Sequence, residues 1–384
     1  MVGAGSGWCS HGAKCSKLDL VRIVRRNWWR WVTWIAGSLV TALVLARPGT
    51  SVTGKYALTW YAVAFMLLAV VARKHQLVAS AVTILGIAAG LFFSLGAAVA
   101  VVSNQDPSAW LYIVGGIAAA GLSTYQLVRR RLDPVALVAI QLGIGLVAYW
   151  AYNAVSGLGL NPSSYPPETL VTPFRVEVPL IALALAGVGF GIARDGHAAR
   201  RRLGLTMPAW WHFFLALLVA YALIGLDGFA NYLTYWIVPG GYQAVGAVLE
   251  KIDTGPVLVG LVYAGLAGIG EEVLFRGALQ PRAGLVATAL LFAMIHIQFG
   301  VTPILAWVFI AGLAFGALRI YFNTTTAILA HALTGFLALL EPSLLTKVGF
   351  WIAFLVVAVP FWRWLRSREG TIEEPTALDS ESIG

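Results

Sequence analysis

The chain has 384 residues, 59% of them hydrophobic and only 11% charged, with 26 lysines and arginines against 17 aspartates and glutamates. Soluble globular chains carry about 25% charged residues, so this composition excludes a cytosolic enzyme, a disordered chain and a secreted disulfide scaffold. It describes an all-α polytopic membrane protein, and the net charge of +9 must first be explained by membrane topology.

Residues 1–30 form a basic segment with no short apolar core followed by a small-residue cleavage site, so no cleaved signal peptide is expected. Cys9, His11 and Cys15 give C-x-H-x3-C. That is one ligand short of a structural zinc site and outside the usual spacings, and it predicts a cytoplasmic tail with two reduced thiols. Apolar stretches long enough to cross a bilayer, about 20 residues each, follow near 31–46, 56–72, 77–102, 109–128, 135–155 and 177–193. A second series lies near 209–226, 256–279, 284–299, 303–320, 323–340 and 348–364, making roughly twelve transmembrane helices. Residues 228–238 either extend the preceding helix or leave it, and 242–252 suits a surface helix. The expected organisation is therefore a membrane domain over 31–200, a second over 201–366 and a polar, acidic tail over 367–384.

With the N-terminus in the cytoplasm, 21 of the 26 basic residues fall on the cytoplasmic side, Arg276 among them. Arg47, Lys55, Arg175, Lys251 and Lys347 fall on the other. This is the asymmetry of the positive-inside rule. It predicts a multi-pass protein of the plasma membrane with both termini cytoplasmic, and it leaves little basic charge for a nucleic-acid partner.

The two halves differ in chemistry. The first six spans hold almost nothing ionisable, and 56–72, 77–102, 109–128 and 135–155 contain no Asp, Glu, Lys, Arg or His. Small residues such as Gly86 and Gly90 predict close helix packing there. No internal repeat relates the halves, which argues against an inverted-repeat transporter. The second half carries Asp227, Glu271, Glu272, Arg276, His296 and His331 in or beside its helices. Ionisable groups at such depth read as functional by default. Asp227 is the exception, since the helix is expected to end beside it at Gly228.

Gly270-Glu271-Glu272-Val273-Leu274-Phe275-Arg276-Gly277 is an E-E-x3-R run late in an apolar helix. Glu272 and Arg276, four apart, share a helix face, and a bidentate fork would hold that carboxylate in place. Glu271 turns about 100° away and stays free to accept a proton. Phe292-x3-His296 and His331 follow on later spans. At 1.5 Å per helical residue, Glu271 lies about 12 Å from the cytoplasmic helix end, His296 about 18 Å and His331 about 12 Å. A carboxylate and two histidines in one layer suit hydrolysis. Glu271 would activate water, His296 would hold it, and His331 would donate to an oxyanion.

In this order, E-E-x3-R-G, F-x3-H and a later histidine resemble the CPBP family, the CAAX prenyl proteases and bacteriocin-processing or immunity proteins. The resemblance covers about residues 209–364. It implies a helical intramembrane endopeptidase whose water is activated by glutamate, with no metal and no cofactor. It also implies Glu271 and His296 as the water-activating pair, Glu272 and Arg276 as support, and His331 at the oxyanion. The implied partners are a membrane-associated peptide or protein substrate and the lipid bilayer. The family's third motif is H-x3-N or H-x3-D, whereas the fourth position after His331 is Gly335; Thr334 or Asn323 would have to supply the missing donor. Three other readings stay open. They are an inactive member acting as scaffold, chaperone or immunity factor, a zinc protease using Glu271, His296 and His331, and a transporter.

Overall fold

The computed structural model describes residues 32–41, 51–103, 106–157, 160–161, 172–252 and 257–340, with single positions at 349, 352, 356 and 363. The Cys9, His11 and Cys15 motif and the C-terminal tail lie outside the described residues, as does nearly all of the expected last span. The described secondary structure is helical. In chain order it runs α1 (32–41), α2 (Ser51–Ala72), α3 (Gln76–Val102), α4 (Trp110–Arg129), α5 (Pro134–Ser156), α6 (Thr172–Gly187) and α7 (Gly196–Leu203). It continues with α8 (Trp210–Ile237), α9 (Pro239–Ile252), α10 (Val257–Glu272), a π-helical turn (Val273–Leu279), α11 (Gln280–Ala283), α12 (Leu285–Ile295), α13 (Pro303–Tyr321) and α14 (Thr324–Leu339).

Six stretches are long and apolar enough to cross a membrane: Gln76–Val102, Pro107–Arg129, Pro134–Ser156, Trp210–Ile237, Leu258–Ala283 and Pro303–Tyr321. Four of the other expected spans are shorter apolar helices, Val32–Thr41, Leu58–Ala72, Leu285–Ile295 and Thr324–Leu339. The expected span 177–193 is shifted: α6 begins at Thr172, contains Pro179 and stops at Gly187. The chain then turns through Gly189 and Gly191, both at positive φ. The helix continues past Asp227, which is not at a helix end. Its neighbour Gly228 is buried within α8, and Asn231 Nδ2 donates to Asp227 Oδ1 at 2.9 Å.

The distribution of side chains is that of a multi-pass membrane protein. The buried face of α3 carries Val82, Thr83, Gly86, Gly90, Ser94 and Ala97, at helical spacing. Ile84, Leu85, Leu91, Phe92 and Leu95 point outward and exposed. Small and hydroxyl residues inside with large apolar ones outside invert the soluble pattern, because lipid solvates the apolar face and close backbone approach drives packing.

The helices divide into two compact units, Met1–Tyr149 with Val178–Leu203, and Trp150–Glu177 with Gly204–Gly384. Residues 150–177, expected within the first membrane domain, are thus grouped with the second. In the first unit the core gathers Val63, Leu67, Val70, Val82, Val135 and Val138. Here Gly86 and Gly90 do admit close packing, since Cβ atoms would meet Gln141 and Ser123 at one and the Gly116 carbonyl at the other. Arg73 closes on Asp133 with two bonds, Nε–Oδ2 at 2.6 Å and Nη2–Oδ1 at 2.7 Å. Asp133 also caps α5 through the amides of Val135 and Ala136.

Burial pushes the Asp133 carboxyl up, but the Arg73 bonds and charge with the two helix amides outweigh it and hold it below the ordinary value. A carboxyl depressed in the folded state contributes stability above its unfolded pKa, lost as pH falls through the folded one. Asp133→Asn is therefore expected to lower stability by about 0.2–1 kcal/mol at neutral pH, the range for a part-exposed pair. Thermal unfolding from pH 7 down to pH 3 should show this difference closing only below about pH 4.

The second unit has its core at Leu215, Leu223, Phe275, Phe292, Val308, Phe315, Leu318, Ala327 and Ala330. Trp307 Nε1 donates to the Leu223 carbonyl at 2.8 Å, tying α13 to α8. Arg276 and Gln280, one turn apart, donate to the carbonyls of Gly312 and Gly316 on α13, each at 2.9 Å. Both acceptors are glycines for a steric reason. A Cβ at 312 would lie 3.1 Å from Ala289 Cβ, and one at 316 would strike Leu285.

Candidate active site

The site is built where α10 loosens into the π-helical turn. The Gln280 amide reaches back to the Phe275 carbonyl in an i→i+5 bond, the wider turn that recurs at functional positions in helices. The helical run continues beyond Leu279 to Ala283, so counting from its true end moves Glu271 to a depth of about 18 Å, level with the count for His296.

Glu272 and Arg276 are both fully buried. Their contact is a single bond, Arg276 Nη1 to Glu272 Oε1 at 2.9 Å, instead of the bidentate fork. The second guanidinium nitrogen is drawn off by the Gly312 carbonyl. The cation also rests on aromatic faces, with Cζ 4.2 Å from the Phe292 ring centroid and 5.5 Å from that of Phe315, a favourable placement for a desolvated charge. Arg276 therefore leaves the set of cytoplasmic loop cations to which the orientation count had assigned it.

The same Glu272 oxygen accepts from His331 Nδ1 at 2.8 Å. Phe315 stacks on the His331 ring, centroids 4.9 Å apart and planes 10° from parallel. With Nδ1–H engaged by a carboxylate and one face covered, the ring is fixed and its other nitrogen, Nε2, is the one left to act.

His296 is not inside its helix. α12 ends at Ile295, and His296 is its C-cap, with φ −89° and ψ 54°. Ending the helix there frees the Phe292 carbonyl from intrahelical bonding. His296 Nδ1 lies 2.9 Å from that oxygen; a carbonyl can only accept, so Nδ1 carries a proton, and in the neutral ring Nε2 presents a lone pair. The F-x3-H spacing thus has two uses: the Phe292 ring supports Arg276 and its carbonyl sets the His296 tautomer. Phe299 stacks against the other side, with planes 5° from parallel.

His296 Nε2 faces Glu271 Oε2 at 3.9 Å, too long for a direct hydrogen bond. Glu271 is 8% exposed, and no protein group hydrogen-bonds to its Oε2. Arg276, His296 and His331 thus gather around the Phe292 ring, with Glu272 bonded to Arg276 and His331 and Glu271 facing His296. Among the described residues no group of three His, Cys, Asp or Glu side chains converges to hold a metal ion.

The two substitutes for the missing third-motif donor are both engaged elsewhere. Thr334 is buried, and its hydroxyl donates to the Ala330 carbonyl of its own helix. Asn323 caps α14, its side chain accepting from the amide and hydroxyl of Thr326. Gly335 faces α10, where a Cβ would lie 3.3 Å from Ala264 Cβ.

One carboxylate escaped the sequence reading. Glu177 on α6 is 4% exposed and packs against Gly270, the residue beside Glu271. Its signal was an acid inside the apolar run Val176-Glu177-Val178, hidden because it stood at the assumed edge of a span. His212, also missed, is buried and bonded to the Thr326 hydroxyl at 2.9 Å, a contact that locks α8 to the capped start of α14.

No curated protein and no solved structure matches the chain. Residues 253–337 match the family model described as Type II CAAX prenyl endopeptidase Rce1-like, a stretch that contains Glu271, Glu272, Arg276, His296 and His331, and the match supports the CPBP family indicated by the same motifs.

Proposed function

We propose that the protein is an intramembrane endopeptidase that hydrolyses a peptide bond of a membrane-associated protein or peptide, using water activated by Glu271 and His296. The observation that carries this is the 3.9 Å gap between Glu271 Oε2 and His296 Nε2, two acceptors facing one another. A single water can donate one hydrogen to each at about 2.8 Å. Glu271 takes the proton as the water oxygen attacks the carbonyl carbon, and returns it to the leaving amine. His331, held at Nδ1 by Glu272, donates from Nε2 to the developing oxyanion when protonated. Arg276 and His331 both hold Glu272 in place, so one carboxylate orients while its neighbour reacts.

The family match favours a substrate of the CAAX type, cut near its C-terminus. The basic-residue asymmetry favours a cell-membrane setting with cytoplasmic termini. The test is comparative proteomics of cells carrying the intact chain or Glu271→Gln. An uncleaved precursor should accumulate with the variant, and identical peptide termini in both would sink the assignment.

A second reading, a weakened or inactive member serving as a scaffold, chaperone or immunity factor, is favoured by Gly335. Loss of one oxyanion donor costs about a hundredfold or more in rate. Gly335→Asn alone would press on Ala264, so the discriminating variant is Gly335→Asn with Ala264→Gly. An enzyme limited by the missing donor should gain about tenfold or more in cleavage. A scaffold should show no turnover in either form.

A further inference from the structure

Glu177 lies against the site without belonging to the family motifs. Gly270 is the notch that admits it. The place of a Cβ at 270 is taken by Glu177 Oε2, with Glu177 Cβ 2.9 Å and Cα 3.1 Å away. The next residue in the chain is Glu271. Both residues are buried, Glu177 4% and Glu271 8% exposed. In each, Oε2 has no hydrogen-bond partner in the protein, and the two carboxyls interact electrostatically.

The charges around them decide what such a pair can be. Beside Glu271 stand His296 from the end of α12, 3.9 Å away, and Arg276 from the α10 run, whose charge reaches it; the next acid in the chain is Glu272. On α6 the other charged group, Arg175, is exposed. Arg276 is paired with Glu272, and His331 also bonds to Glu272. The neutral His296 ring presents a lone pair to Glu271. Arg276, whose charge also reaches Glu271, is committed to Glu272, and two further like charges buried side by side do not both ionise.

We propose that Glu177 is a positioning residue for Glu271: the two carboxyls hold one proton between them, so that Glu271 acts as a singly charged base steadied by a neutral carboxylic acid. The inference deepens the hydrolytic reading of the same site and takes its functional meaning from it. The proton is shared, not consumed, because Glu271 exchanges its catalytic proton with water and with the leaving amine. Glu177 acts only through Glu271.

The experiment is infrared spectroscopy of the purified full chain in lipid nanodiscs, following the carbonyl stretch of protonated carboxyls, identified by its shift in D2O, as pH is raised. It needs no substrate, so failure of the proteolysis assay and failure of this proposal are separable. The intact chain should keep one protonated carboxyl at pH 7, and Glu177→Gln should lose it. In Glu271→Gln the remaining carboxyl should release its proton at lower pH than the intact pair releases its last one, because the neighbouring charge has gone. Gly270→Ala retains both carboxyls but fills the notch, and should lower that last step as well; Glu177→Asp should retain the band. An intact chain with no protonated carboxyl at pH 7 overturns the proposal. So does a band unchanged in Glu177→Gln, or a last deprotonation at the same pH in Glu271→Gln as in the intact chain.

Discussion

Glu271→Gln is expected to lower the cleavage rate about 10²–10⁴-fold, the usual contribution of a positioned general base, while leaving the fold intact. The amide is nearly isosteric but cannot accept a proton from water. The substitution is structurally mild because no protein group hydrogen-bonds to Glu271 Oε2 and His296 stands 3.9 Å away. It also removes one of two apposed acids, so the unfolding midpoint in nanodiscs should hold or rise. Product formation followed by mass spectrometry, beside that midpoint, separates lost chemistry from lost structure. A rate within threefold of the intact chain would remove Glu271 from the mechanism.

What the sequence disclosed and what it withheld divide along the range of the interactions. The Glu272–Arg276 contact and the tie between His296 and Phe292 are both four residues apart, and helical periodicity finds them. The shared role of Glu272, which accepts from Arg276 and His331 together, needs α10 and α14 brought side by side. The split guanidinium needs the Gly312 carbonyl of α13. Asp227 was misplaced because Gly228 resembles a helix stop, whereas in α8 it is a buried packing position within a helix running to Ile237. His296 was drawn inside a helix because its apolar flanks hid the end of α12. Glu177 meets Gly270 across a long sequence separation, and the absence of a side chain at 270 leaves no pattern for periodicity to detect.

Arg276→Met should be the most destabilising single change in the site, because it strands a fully buried carboxylate. Arg276 and Glu272 have no solvent exposure, and deleting one member of such a pair costs about 3–5 kcal/mol, against a total of about 5–15 kcal/mol for a typical fold. Arg276→Lys should recover only part of this, since an ammonium cannot reproduce the divided grip on Glu272 Oε1 and the Gly312 carbonyl or the flat rest on the Phe292 ring. The double variant Arg276→Met with Glu272→Leu removes both charges and should regain more than half of the lost stability, as apolar replacements of buried ion pairs do. Cleavage should not return with it. Glu272 is also the acceptor for His331 Nδ1, and without it the imidazole loses its orientation. Unfolding midpoints and cleavage rates measured on the three variants should therefore part company in the double. If the double regained activity as well as stability, the Glu272–His331 bond would be packing alone.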